Sequence, residues 1–227
     1  MQIKIKTDLK PSLQQGNIYR RYVKRMLDFV FAIILLIILS PIMVIAALAI
    51  KIEDREGPVL FKHDRIGKGN KVFTVFKFRS MIVIRERNGC KLSDTERMLK
   101  VGNFLRKSSI DEFPQLFNII RGEMSFIGPR PLPVVYLPYY TKEEIHRHDV
   151  RPGISGWAQV NGRNYLSWEK RFEYDLEYVN NVNFLFDVKI FFKTIKKVFL
   201  RSDIGVRGVD IPDNSLHEIR NQTRTFF

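Results

Sequence analysis

The sequence predicts an α+β fold attached to a lipid bilayer, and three observations carry that prediction. Residues Phe29 to Ile50 form 22 consecutive positions without a charge, roughly the number a helix needs to cross a hydrocarbon core of about 30 Å. Two short apolar runs, Val59-Leu60-Phe61 and Val72 to Phe78, flank a basic turn containing Gly67 and Gly69 and read as a strand pair. Farther on, apolar residues recur at helical spacing, first at Phe113, Leu116, Phe117 and Ile120, and again at Val188, Phe191, Phe192, Ile195, Val198 and Phe199.

Charge and length bound the rest. The chain has 227 residues, with 38 Lys and Arg against 24 Asp and Glu, for a formal charge of +14. Such a chain is drawn to acidic lipid headgroups, a phosphorylated substrate or nucleic acid. No nucleic-acid-binding module is present, and the apolar segment argues against nucleic acid as a partner. The 177 residues after Ile50 suffice for one domain with its own core. The single cysteine, Cys90, can form no intrachain disulfide and has no histidine near it in sequence, so it reads as incidental in a reducing compartment.

Taken in order, residues 1–19 read as a flexible polar tail with Pro11 and Gly16. Residues 20–50 are a basic collar leading into the apolar run, with Arg20, Arg21, Lys24 and Arg25 suited to headgroup anchoring. That run admits three readings. It is too long for the apolar part of a signal peptide, which is usually about 7–15 residues. It can span the bilayer, or it can enter, break and return to the same face. Pro41 removes an amide donor near its middle, and Ser40 offers a hydroxyl to the carbonyl that loses its partner. The arms Phe29 to Leu39 and Ile42 to Ile50 each measure about one leaflet at roughly 1.5 Å per residue. Basic residues are balanced on the two flanks, so the positive-inside rule picks no direction of crossing.

Residues 51–201 form the expected catalytic domain. In the second strand Lys77 and Arg79 fall on one side by period two, so both can face one ligand. Ile82 to Thr95 is charged and unpatterned and reads as a mobile loop, and Glu96 to Leu105 reads as a short helix interrupted at Gly102. Trp168 to Tyr178 reads as a helix of mixed aromatic and charged character. Phe184 to Leu200 divides into an apolar face and a face carrying Lys189, Lys193, Lys196 and Lys197, which suits either the headgroup plane or packing on the core. Residues 202–227, with Gly205, Gly208 and Pro212, read as an irregular tail.

The most informative stretch is Arg106 to Gly122. Pro114 belongs in a first helical turn, which puts the helix start near Ile110 or Asp111 and its end at Gly122. The acids Asp111 and Glu112 then sit where free amides and the helix dipole favour anions, which helps an Asp stay ionised. Asp111 or Ser109 can equally be a simple cap. Beyond them lie Gly128-Pro129-Arg130-Pro131 and Arg151-Pro152-Gly153. Arginines held between prolines and glycines are preorganised, and guanidinium forks match the oxygens of a diphosphate. Carboxylates beside such arginines suggest Mg²⁺ bridging protein and phosphate, with Asp111 and Glu112 as ligands. His63, His146, His148 and His217 form no zinc set, and no Walker or Rossmann pattern occurs.

Between Arg20 and Arg201 the chain resembles the bacterial sugar transferases, in particular the small monotopic members of the polyprenyl-phosphate phosphoglycosyl transferase family. The resemblance is carried by Lys24-Arg25-Met26-Leu27-Asp28, Ser40-Pro41, Gly57-Pro58-Val59-Leu60-Phe61, Asp64-Arg65-Ile66-Gly67, Lys77-Phe78-Arg79-Ser80-Met81, the run Leu105 to Gly122, Met124 to Pro131, and Arg151 to Arg163. Phe113 stands where many relatives carry Leu, and the extra N-terminal membrane helices of longer members are not seen.

The resemblance implies transfer of sugar-1-phosphate from a UDP-sugar to undecaprenyl phosphate, with release of UMP, at the start of surface glycan or glycoconjugate assembly. It makes Asp111 the nucleophile of a covalent phosphosugar-aspartate intermediate, with Glu112 holding Mg²⁺ or managing a proton. It lines the site with Lys77, Arg106 and Arg130, sets Arg151 near the nucleotide end, and makes Ser40-Pro41 the break of a re-entrant helix. The expected architecture is therefore a monotopic α+β protein: a re-entrant helix-break-helix hairpin, a small strand pair and amphipathic interfacial helices. It implies the bacterial cytoplasmic membrane, with the catalytic domain on the cytosolic face and anionic lipids as partners, and it is compatible with a homo-oligomer. The rival reading is a non-enzymatic membrane scaffold, which would release no UMP. The sugar would be chosen by variable loops, Ile82 to Thr95 or Ser202 to Phe227.

Overall fold

A computed structural model describes residues 18–84, 86–87, 90–162, 165–200 and 215–224. Positions 1–17 of the expected N-terminal tail and 202–214 and 225–227 of the C-terminal one lie outside the described residues. The apolar stretch is helical throughout: a π-helical turn, Tyr19–Val23, leads into α1, Lys24–Glu53. Pro41 lies inside α1 and lacks the amide that would bond to Ile37 four positions back. Ser40 Oγ donates to that same Ile37 carbonyl at 2.8 Å. The serine thus supplies the bond that proline removes, and no non-helical residue separates the two arms.

Both arms dock on one domain. Ala32 is fully buried and packs, with Leu35, Leu36 and Leu39, among Phe73, Val75, Leu116, Ile119 and Met124. On the second arm Ala46 and Ile50, joined by Met43 and Ala47, pack among Phe78, Leu99 and Leu105. Polar bonds fix both ends. The Asp28 carboxylate accepts from Ser125 Oγ at 2.7 Å and from the Phe126 amide at 3.1 Å. Glu53 accepts from the amides of Lys100 at 2.7 Å and Val101 at 2.9 Å. Between these anchors Ile37, Ile38, Ile45 and Leu48 are 58–68% exposed. A bilayer-spanning helix would put its ends about 30 Å apart on opposite sides, whereas both ends of α1 are tied to the same charged domain. Docking of both ends on one domain is the re-entrant-like form that a monotopic membrane protein takes.

The predicted strand pair is β1 (Leu60–Ile66) and β2 (Val72–Phe78), antiparallel, running from Leu60 opposite Phe78 to Ile66 opposite Val72. Because β2 ends at Phe78, Arg79 lies past the alternation that the sequence suggested for it. The edge of β2 is bonded to α4 (Gln115–Arg121): the Asn118 side-chain amide donates to Thr74 O at 2.7 Å, and Phe76 N donates to Asn118 Oδ1 at 3.1 Å.

The stretch read as a loop, Ile82 to Thr95, contains a short hairpin, β3 (Glu86–Arg87) with β4 (Cys90–Lys91). It leads into α2 (Asp94–Arg97), started by a Ser93–Glu96 capping box. The single helix expected from Glu96 to Leu105 is two, because the chain turns extended at Met98 and Leu99 before α3 (Lys100–Lys107). Gly102 sits inside α3 and does not interrupt it. A Cβ there would lie 2.1 Å from Ser80 O, so glycine is demanded by close packing and not by a break.

Two short strands, β5 (Ser125–Ile127) and β6 (Gly153–Ser155), pair in parallel beneath α5 (Trp157–Val160), α6 (Trp168–Asn180) and α7 (Phe184–Leu200). On α7 the core face is Asp187 and Ile190, while Phe184, Leu185, Phe191 and Phe192 are 52–76% exposed. Asp187 accepts from Tyr19 at 2.5 Å, Lys24 at 2.6 Å and Tyr178 at 2.7 Å, which ties α7 to the basic collar. The apolar side of α7 therefore faces outward like that of α1, as an interfacial helix requires. The tail expected to be irregular includes a helix, α8 (Leu216–Arg224). Leu216 is buried among Tyr136, Trp168 and Phe172, and Arg220 meets Glu144 with both ends of its fork at 2.6 and 2.7 Å. A sparse apolar pattern, Leu216 and Ile219, was too little for sequence to show it.

Two measurements test the anchor. Asp28→Ala should cost about 2–3 kcal/mol in unfolding free energy, since it leaves the buried Ser125 hydroxyl and Phe126 amide unpaired. In a Cys90→Ser background, single cysteines at Tyr22 and Ile52 should both be labelled from the same side of oriented vesicles. Labelling from opposite sides would overturn the re-entrant arrangement.

Candidate active site

The site is built at the junction between α3 and α4. After α3 the chain passes Ser109 in a left-handed conformation, φ 59°, and makes one 3-10 turn, Ile110–Glu112, before Pro114 starts α4. Neither Ser109 nor Asp111 makes a capping bond. The α-helix begins at Gln115, later than the sequence predicts, so Asp111 does not sit in an α-helical first turn.

Glu112 is clamped by two cations. Its Oε1 is 2.6 Å from Lys77 Nζ and 3.4 Å from the Arg130 guanidinium. Burial pushes Glu112 upward, but Arg130 and Lys77 outweigh it and hold the acid at about 2. Asp111 accepts no hydrogen bond from the described residues. Burial raises it above the ordinary carboxylate range, Lys77 chiefly opposes that rise, and the neighbouring Glu112 charge adds to it. The dipole argument from sequence pointed the other way. Desolvation prevails because Asp111 has nearby charges but no direct donor.

Arg106, at the end of α3, is oriented through Nε by Ser80 Oγ at 2.8 Å, and its terminal nitrogens meet no acceptor among the described residues. Ser80 was missed as a site residue, although it lies in the Lys77–Met81 run. The structure thus gathers Asp111, Glu112, Lys77, Arg106 and Arg130 into one cluster. Arg79 is elsewhere: buried, paired with the Asp54 carboxylate and donating to Asp54 O at 3.0 Å, it ties the end of α1 to β2. Arg151 donates through Nε to Gly122 O at 2.7 Å, just past the C-terminus of α4, while Arg25 donates to Ile119 O and Ile120 O at 2.5 and 2.8 Å. These two arginines satisfy carbonyls at the end of α4, which is separated from the dyad by the length of that helix, roughly 10 Å. Ser40 and Pro41 belong to the membrane helix and take no part in the cluster.

Among the described residues no group of three or more His, Cys, Asp or Glu could hold a metal ion. The dyad still suits Mg²⁺, which is commonly held by one or two carboxylates and completed by substrate phosphate and water. Asp111 has free oxygens for such an ion, whereas Glu112 is already engaged by Lys77 and Arg130. The surrounding cations favour an anionic ligand.

A half-buried pair of carboxylates beside Lys77, Arg106 and Arg130, on a domain clamped to a re-entrant-like apolar helix, is the form of a monotopic membrane protein with a site suited to an anionic ligand. Residues 19–201 match the bacterial sugar transferase family, and the chain belongs to it. It is 48% identical over 183 residues to the uncharacterised sugar transferase EpsL of Bacillus subtilis, covering 80% of this chain and 89% of the relative. It is 41% identical to a UDP-N-acetylgalactosamine-undecaprenyl-phosphate N-acetylgalactosaminephosphotransferase of Aeromonas hydrophila, over 82% of this chain and 46% of that protein. It is 42% identical to the UDP-glucose:undecaprenyl-phosphate glucose-1-phosphate transferase of Escherichia coli K12, over 79% of this chain and 41% of that protein. The chain thus spans less than half the length of these last two relatives.

Lys77→Met should raise the titration points of both Asp111 and Glu112, read by carboxyl ¹³C NMR. Glu112 also contributes to stability. Its folded value of about 2 lies below the unfolded value of about 4.3. Its contribution is therefore present above the unfolded value and lost as pH falls toward about 2, and Lys77→Met should shrink that acid-sensitive part.

Proposed function

We propose that the protein is a phosphoglycosyl transferase that moves sugar-1-phosphate from a UDP-sugar to undecaprenyl phosphate through a covalent intermediate on Asp111. The observation that carries this reading is the contrast within the dyad: Glu112 is locked by Lys77 and Arg130, while the half-buried Asp111 carboxylate beside it has no donor of its own among the described residues. A locked acid is a structural and electrostatic element. A partly desolvated carboxylate with free oxygens has lost some of the hydration that makes carboxylates poor nucleophiles in water.

In the first step an Asp111 carboxylate oxygen bonds to the sugar-bearing phosphorus of the UDP-sugar. The bond from that phosphorus to the bridging oxygen breaks, and UMP leaves with the electron pair. Arg106, Arg130 and Lys77 stabilise negative charge as it shifts onto the leaving phosphate. In the second step a phosphate oxygen of undecaprenyl phosphate bonds to the same phosphorus, and the Asp111 carboxylate departs. Bound Mg²⁺ would supply further neutralisation of the diphosphate at the dyad. Relatives named for UDP-N-acetylgalactosamine and UDP-glucose support a UDP-sugar donor and a lipid phosphate acceptor.

The architecture serves this chemistry. A polyprenyl phosphate keeps its headgroup at the interface, so the nucleophile has to be held at that height. The exposed apolar residues of α1 and α7 would enter the acyl region, with the α7 lysines and the collar arginines meeting anionic headgroups. With both ends of α1 on one side, the domain would face the cytosol of a bacterial inner membrane, where nucleotide sugars are found.

Asp111→Asn should lower UMP release at least ~10³-fold, the loss expected when a covalent nucleophile is removed. Wild type briefly incubated with UDP-sugar labelled in the sugar should retain label on the protein, and the Asn variant should not. Activity should rise with pH through a titration above the ordinary carboxylate range, because burial raises Asp111 and only its ionised form attacks. Full turnover in the Asn variant would refute the assignment, and a scaffold would release no UMP with either form.

A further inference from the structure

The side chain of Arg130 is 51% exposed and stands 3.4 Å from Glu112, so packing does not place it and its main chain must. Pro129, Pro131 and Pro133 have no amide hydrogen to give, and that main chain is held by its carbonyls instead. Pro129 O accepts from the Gly153 amide at 3.0 Å, and Leu132 O accepts from the Ile66 amide at 3.1 Å. Arg130 O, between them, accepts from a side chain, Nη2 of Arg147, at 2.8 Å.

Arg147 lies in the 3-10 stretch Glu144–Asp149 and is 1% exposed. Its Nε and Nη2 donate to one oxygen of Asp175, on α6, at 3.0 and 2.7 Å. Its Nη1 donates to His148 Nε2 at 3.2 Å and, at the outer limit of 3.5 Å, to the Tyr140 hydroxyl. With Nη2 also on Arg130 O, all five N–H groups of the guanidinium have acceptors. His148 accepts at Nε2 and so carries its proton on Nδ1, which donates at 2.6 Å to Asn70 Oδ1 in the turn between β1 and β2. Burial and then the Arg147 charge hold that ring down at about 3, which keeps it neutral and able to accept. A buried ion pair is by itself a poor stabiliser, because desolvation offsets the attraction and apolar side chains could fill the same space. Apolar side chains could not, however, hold a carbonyl of the neighbouring segment.

We infer that Arg147 is a positioning residue for the site: by holding the Arg130 carbonyl it sets the main chain from which the Arg130 guanidinium reaches Glu112 and an anion bound beside it. Asp175 and His148 fix the plane of the Arg147 guanidinium, so that one N–H is left to point at the carbonyl. The inference rests on the proposed reaction only for the part that Arg130 plays in turnover.

The test is a double-mutant cycle on the full chain in nanodiscs, read by kcat for UMP release and, without turnover, by the Glu112 titration in carboxyl ¹³C NMR. Arg147→Met combined with Asp175→Leu removes the ion pair as a unit, which spares the fold the cost of one unpaired buried charge. Arg147→Lys keeps the charge but not the fork, and it carries the test if the combined variant does not fold. Either change should raise the Glu112 titration above its value of about 2 and lower kcat about tenfold, as loss of a charge-assisted hydrogen bond predicts. In an Arg130→Ala background the same changes should move neither quantity further, because the effect of Arg147 passes through Arg130. A merely structural Arg147 would lower kcat by the same factor with and without Arg130. That result, or a Glu112 titration that stays in place in both Arg147 variants, overturns the inference. If wild type releases UMP from no UDP-sugar, the proposed reaction fails, and the Glu112 titrations alone decide whether Arg147 sets Arg130.

Discussion

Everything in this structure follows from fixing a long apolar helix at both ends to the same domain. Asp28 grips the Ser125–Phe126 backbone at one end, and Glu53 grips the first amides of α3 at the other. The arms between are not an appendage, because Ala32 and Ile50 are completely buried among residues of β2, α3 and α4. The membrane helix is thus part of the core that carries the dyad, with Phe78 at the end of β2 packed directly against its second arm. The position of Asp111 relative to the apolar helix is set by packed side chains and not by a linker.

Within the site the balance is between burial and charge. Desolvation drives both acids upward, and direct contacts decide how far each one goes. Glu112 has Lys77 at 2.6 Å and Arg130 at 3.4 Å, and charge wins. Asp111 feels the same cations without touching them, and burial wins. Adjacent residues of the same chemistry are thereby given different roles, one fixed and one available. The surrounding cations outnumber the carboxylates they face, which is the electrostatic form of a site awaiting a multiply charged anion.

Part of this was legible in the linear sequence. The uncharged run, the serine beside its proline, the strand pair and the Asp-Glu pair are local signals, and each reappears in the fold. The pairing of Ser40 with the Ile37 carbonyl could be foreseen because the residues lie within one helical turn. The dyad and its arginines stood out because rigid prolines and glycines surround them. Other features were not legible. Arg79 looked equivalent to Lys77 by alternation, but the strand ends one residue earlier and Arg79 turns to Asp54. Arg151 resembled Arg130 in its proline-glycine setting, yet it closes the far end of α4. The helix Leu216–Arg224 has Leu216 as its deeply buried anchor among the described residues and left little periodic trace.

The sequence by itself determined that the chain meets a membrane, where the apolar helix and the main strand pair fall, and which acids and bases are candidates for chemistry, since hydrophobic run length, periodicity and residue type are local properties. Only the tertiary structure decided that both ends of the apolar helix are bonded to one domain, and that Lys77 and Arg130 neutralise Glu112 and leave Asp111 unpaired. Those facts depend on contacts between residues far apart in the chain, and on how much water each charge has lost when the chain closes around it.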